Sequence, residues 1–140
     1  MKIRTAAFVF LSLFIFGGLF TINGQESQRK KIAVASEGET IDSQVSSQGA
    51  RCFWLLFFDE EGKLAEALEN PYRQTRGGAG TECTGLLADH NATHFIAGHV
   101  GDKMAAALES RNIAFISFSG TVKDAVAHVL EKISGPKLQP

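Results

Sequence analysis

Apolar and polar positions along the chain change rhythm near its midpoint. In the first half, KIAVAS (residues 31–36) is a short apolar, β-branched run closed by Glu37-Gly38, the pattern of a buried strand. CFWLLFFD (residues 52–59) is aromatic and strand-like, EEGK makes a turn, and LAEALEN (residues 64–70) alternates apolar with polar as a returning strand does. Pro71 forbids its continuation. Between these strands lie residues 37–50, EGETIDSQVSSQGA, polar and without a period. A loop of that length inside a compact domain is usually functional or mobile.

Helical spacing then takes over. Residues 79–90 form a helix candidate with Leu86 and Leu87 as core anchors, THFIAG (residues 93–98) is a strand, and residues 102–111 are an alanine-rich helix. IAFISF (residues 113–118) is another strand. Residues 122–133 close the pattern as a helix with Val122, Val126, Val129 and Ile133 on one face. Strand–helix–strand–helix order implies parallel crossovers with helices packed on the sheet. The fold class is α/β, a hairpin first and parallel units after it. RGGAGTEC (residues 76–83) stands at the change of rhythm. Its three glycines are a tight turn into a helix, a place for backbone to approach a ligand, or both.

The first residues need separate treatment. Lys2 and Arg4 form a positive start, no charge follows until Glu26, and AAFVFLSLFIF (residues 6–16) is apolar except for Ser12. That is the pattern of a secretory signal with Gly24 at the cleavage site. The uncharged span also approaches the ~20 residues that cross a bilayer, so an uncleaved anchor flanked by Arg29, Lys30 and Lys31 is the alternative. The expected organisation is a leader over residues 1–24, a linker over 25–30, one domain over 31–133 and a tail over 134–140. An exported, periplasmic protein follows from cleavage, and a membrane-anchored one from retention. Any membrane contact is expected only through the N-terminal segment. Removing residues 1–24 takes two positive charges and no acid, so the net charge moves from −1 to −3. No remaining segment is strongly basic, which argues against a nucleic-acid partner.

Six short stretches fall in order along the domain: KIAVASEG, IDSQVSSQGARCFWLLFFD, ENP (residues 69–71), GGAG (77–80), LLAD (86–89) and AGHVG (97–101). Together they resemble the dinitrogenase iron-molybdenum cofactor biosynthesis domain, a prokaryotic family, over about residues 31–133. In the second stretch Asp42, Ser43, Val45 and Arg51 match its loop into the second strand. The chain departs at Gln48-Gly49-Ala50, where the family often carries His-Phe-Gly or Arg-Phe-Gly. Ligation through that histidine has no counterpart here.

The resemblance implies a ribonuclease-H-like five-stranded mixed sheet with its second strand antiparallel, flanked by helices. It would gather residues 37–50, Arg51 and Cys52, residues 72–80, His99 and Ser119-Gly120 on one edge. That edge lies at the carboxyl ends of the parallel strands, where open α/β sheets place ligands. The implied function is non-enzymatic: a binding or carrier domain for an iron-molybdenum or iron–sulfur cluster or a related anion, served by a cluster donor or acceptor protein. Arg51, Ser43, Gly77, Gly78 and Gly80 are the expected cofactor contacts, and Cys83 and His99 the expected metal ligands. Thiolate and imidazole suit such metals.

Several residues keep two readings. Cys83, in the first turn of its helix, either has its thiol pKa lowered by the helix terminus or is a buried, inert cysteine. His99 either ligates a metal or caps a helix. His94 lies inside a strand as a core histidine, His90 ends a helix where the dipole favours it, and His128 sits beside the apolar stripe of the last helix on a solvated side. Arg51 and Arg76 either clamp an anion or form surface ion pairs. Cys52 and Cys83 fall on the same edge, and an oxidising compartment would permit a disulfide that removes both as ligands. A hydrolase or nuclease on this scaffold would need clustered carboxylates, and KIAVAS offers none. A protein-interaction module using the aromatic hairpin is a third possibility.

Overall fold

A computed structural model describes residues 29–135. The expected leader and the last five residues lie outside the described residues. Among the described residues, five strands and three helices follow in order: β1 (Ile32–Ser36), β2 (Trp54–Phe58), β3 (Leu64–Glu69), α1 (Ala79–Asp89), β4 (His94–Ala97), α2 (Asp102–Ser110), β5 (Ala114–Ser117) and α3 (Val122–Ser134). They form one sheet in the order β3-β2-β1-β4-β5. β2 runs antiparallel to both neighbours, while β1, β4 and β5 are parallel. This is the mixed sheet, with a reversed second strand, that the family resemblance implies.

The central strands are continuous apolar runs because both faces of the sheet are covered. Successive residues of β1 serve opposite cores. Ala33 and Ala35 face a cluster with Leu55, Phe57 and Phe95, closed by Cys83 and Leu87 of α1 and Met104 and Leu108 of α2. Ile32 and Val34 face a second cluster with Leu56, Phe58 and Ile96, closed by Val122, Ala125, Val126 and Val129 of α3. The alanines leave room for two helices on the first face, and the larger side chains meet the single helix on the second.

Three expectations change. Residues 37–50 are pinned: Val45 and Ser46 are buried, and Val45 forms a bridge with Ser36. His128 is half-buried, with its ring 5.4 Å from that of Phe118. Cys83 is the fifth residue of α1, beyond the first turn. Among the described residues, no helix is long and apolar enough to cross a membrane.

Candidate functional site

The carboxyl ends of β1, β4 and β5 and the start of β2 share one edge of the sheet. The 37–50 loop crosses that edge by backbone hydrogen bonds. Ser46 N–H donates to Ala35 O (2.8 Å), Gly98 N–H to Ser46 O (2.7 Å), Gly49 N–H to His99 O (2.9 Å) and Val45 N–H to Gly120 O (2.9 Å). Gly98 is required by this contact, since a Cβ there would lie 2.8 Å from Ser47 Cα. The loop is therefore a fixed wall of the site.

Buried Asn70 sets the adjoining segment. Its Nδ2 donates to Ala50 O and Cys52 O, each at 3.0 Å, and its Oδ1 accepts from Tyr72 N–H at 3.0 Å. One side chain thus ties the entrance of β2 to the turn after β3. Arg51, held between these bonds, donates from Nη1 to Arg73 O at 3.1 Å. Arg73 in turn lies over the Phe53 ring, 3.6 Å from its centroid. Sequence reasoning used Asn70 only as part of ENP. Its place before a proline at a strand end was the available signal, because asparagine side chains bond backbone at turns.

Beside Arg51 opens a cleft of about 330 Å³. Its walls are Ala50 and Arg51, the start of α1 at residues 78–80, and the start of α2 at residues 101–104. Two helix N-termini therefore converge on it. The caps are Gly78 and Gly101, and neither helix start has a side-chain capping bond. The first N–H groups of a helix have no intrahelical partner and carry the positive end of its dipole, so they attract anions. Lys103 adds a cation to the wall, while Asp102 already places one carboxylate there.

The glycines divide by cause. Gly77 and Gly78 adopt φ of 67° and 75°, the left-handed turn that launches α1. Gly80 is needed for packing: a Cβ there would stand 2.9 Å from Met104 Cβ, so it lets α1 and α2 approach. Gly80 thus lines the cleft and also spaces the two helix starts.

Ser43 belongs elsewhere. Its carbonyl accepts from Val122 N–H at 2.9 Å, and its hydroxyl lies 3.2 Å from that of Thr40. With Ile41 O accepting from Lys123 N–H (3.0 Å) and Thr121 Oγ1 accepting from Asp124 N–H (3.3 Å), it closes the start of α3. The expected contact set thus splits: Arg51, Gly78 and Gly80 meet at the cleft, with Gly77 just outside, while Ser43 caps another helix.

Cys83 takes the second of its two readings, the buried cysteine. It is fully buried in the first core cluster, and burial pushes its thiol up to about 12, with Cys52 adding to the rise. Cys52 is buried too and pushed to about 12, chiefly by burial, although hydrogen bonds from Ser36 and Asn70 oppose it. Both cysteines are free. His99 is exposed on the loop before α2. His90 and His94 sit away from the cleft. His90 Nδ1 lies 3.2 Å from Glu66 Oε1, with its ring stacked on Phe57 at 4.8 Å. His94 Nδ1 lies 2.9 Å from Thr93 Oγ1 at the amino end of β4, its pKa lowered by burial and then by Lys30.

Residues 30–132 match the family described as dinitrogenase iron-molybdenum cofactor. The chain belongs to that family. The apo form of the orange protein from Desulfovibrio gigas is similar to it at 29% identity, over 75% of this chain and 88% of that one, with a TM-score of 0.68. A candidate NifB protein from Thermotoga shares 26% identity over 71% of this chain and 86% of its own, with a TM-score of 0.62. A candidate dinitrogenase from Methanocaldococcus jannaschii, at 11% identity and a TM-score of 0.54 over 76% and 92%, shares the fold alone. No curated protein matches the chain.

For a member of the dinitrogenase iron-molybdenum cofactor family, the donor set is lean. Among the described residues no three His, Cys, Asp or Glu side chains converge as metal ligands. A protonated, buried Cys83 is a poor thiolate donor. Besides the Asp102 carboxylate, the groups that meet at the cleft are backbone N–H, Arg51 and Lys103, and these suit the outer charge of an anion better than its metal.

Proposed function

We propose that this chain carries an anionic metal–sulfur cluster as cargo, seated between the starts of α1 and α2. The observation that carries this reading is the convergence of two glycine-capped helix termini beside Arg51. Family membership supports the metal–sulfur class of the cargo, and the orange protein's description in an apo form supports a ligand that comes and goes. The cluster is held by backbone N–H groups and Arg51, with His99 as the exchangeable imidazole donor on the loop into α2 and Cys83 outside the contact set. A site that grips charge without bonding through a thiolate releases cargo readily, as transfer to an acceptor protein requires. The strand order with only β2 reversed supports reading the sheet as ribonuclease-H-like. β1, IAVAS, carries no acidic residue, which supports binding over hydrolysis. The charged start and apolar run before residue 24 support export.

Equilibrium dialysis of the protein against an inorganic thiomolybdate anion tests this. Uptake should weaken as salt rises, because exposed charge contacts are screened. Arg51→Ala should weaken it roughly tenfold, the scale of one charge-assisted hydrogen bond. A folded Cys83→Ala protein should bind as the wild type does. Salt-independent uptake that Cys83→Ala abolishes would replace this account with thiolate ligation.

A further inference from the structure

The two edges of the sheet are unlike. β3 carries Glu66 and Glu69 with Lys63 just before it, and its pairing with β2 is irregular at Phe57/Phe58. Charges and irregularities of this kind keep edge strands from pairing with other chains. β5 has neither. From residue 112 to residue 122, NIAFISFSGTV, no side chain is charged. Ala114 and Ser117 are exposed, and Phe115, Ile116 and Phe118 are not fully covered. Ala114 N–H donates to Thr93 O and Phe118 N–H to Ala97 O, each at 3.0 Å, so residues 114, 116 and 118 turn their backbone groups toward β4. The N–H and C=O of Phe115 and Ser117 therefore point outward, and among the described residues no strand pairs with them.

We propose that β5 is the pairing edge for a second copy of this chain, joining two sheets into one of ten strands. Antiparallel pairing about Ile116 is self-complementary. Phe115 faces the partner copy's Ser117 and the reverse, so each of these two pairs exchanges two backbone hydrogen bonds. Ile116 meets its own counterpart between them. Phe115 extends the first core cluster across the join, Ile116 and Phe118 extend the second, and no charges are opposed. The same pairing through β3 would set four glutamates along one seam. A two-fold axis at Ile116 leaves the clefts at opposite ends of the dimer, so this assembly does not depend on the cargo reading.

Sedimentation equilibrium of the full chain tests the pairing, with Ser117→Pro as the first variant. Proline there removes an outward N–H that the monomer does not use, and edge strands tolerate it. Ser117→Lys, an edge charge at an exposed position, is the second variant and serves alone if the proline variant fails to fold by circular dichroism. The leader is common to all variants, so the difference reads β5. The wild type should show a concentration-dependent dimer, and each folded variant should dissociate at least about 100-fold more readily, through loss of the strand's hydrogen bonds and apolar seam. A wild type that is monomeric at 100 μM (about the concentration at which even weak dimers form), or folded variants with unchanged dimer affinity, would overturn the proposal.

Discussion

The three helices among the described residues begin near the same edge of the sheet, and they begin differently. The start of α3 is closed by Thr121 and by the carbonyls of Ile41 and Ser43, contributed by a loop from across the sheet. The starts of α1 and α2 have glycine caps, no side-chain capping bond and a shared cleft. Capping a helix with serine, threonine or aspartate stabilises it by roughly a few tenths of a kcal/mol over glycine. A protein that closes one terminus with three groups and leaves two others facing each other has forgone that stability at the place where an anion would supply it. The contrast separates structural N–H groups from available ones within one fold.

The largest way to break the contrast is to release the cleft wall. Asn70→Ala removes four side-chain hydrogen bonds, one of them to the Cys52 sulfur, and leaves the Cys52 carbonyl buried beside a lost partner. It should destabilise the protein by roughly 2–4 kcal/mol in urea unfolding, and it should weaken anion uptake because Arg51 loses its anchor.

The cysteines give the next effect. Both thiols are held near 12 in the folded protein, above their ordinary value of 9.0. A group whose folded pKa is raised contributes stability that is present below its unfolded pKa and lost as pH climbs toward the folded one. Stability should therefore be flat in these groups below about pH 9 and then fall, by up to roughly 1.4 kcal/mol per pH unit for each thiol, until about pH 12. Urea midpoints from pH 8 to 11, compared with a Cys83→Ala variant, check this. At pH 8 neither cysteine should react with iodoacetamide until the protein unfolds.

Thr121→Ala is smaller and sharpens the comparison from the other side. It should lower stability by about 1 kcal/mol through loss of the α3 cap and leave anion affinity unchanged. An equal loss of affinity would mean that the three termini act as one site.

The strands and helices were legible because their periods are clean: two-sided apolar runs in β1 and β2, and a valine stripe in α3. The direction in which Cys83 points was legible too, since Ala79, Cys83 and Leu87 recur every four residues and all are buried. Nearness to a helix start had suggested activation instead, yet helix phase decides exposure. Gly80 was less accessible, because a glycine for a turn and a glycine for helix contact look alike until Met104 is placed against it. The closure of α3 by Ile41 and Ser43 was not legible at all. It runs through backbone carbonyls, which every residue has, so no side-chain pattern records it.

The most direct test of the open cleft is Gly101→Asp. Gly101 has an ordinary φ of −70° and nothing near its missing Cβ, so an aspartate fits without strain. It caps α2 and fills the positive end of the helix with its own carboxylate. The predicted result is a protein as stable as the wild type, or more stable by a few tenths of a kcal/mol, with affinity for thiomolybdate reduced by at least about tenfold. A Gly101→Asp protein that is equally stable and binds the anion with wild-type affinity would contradict the claim that the starts of α1 and α2 form the binding site.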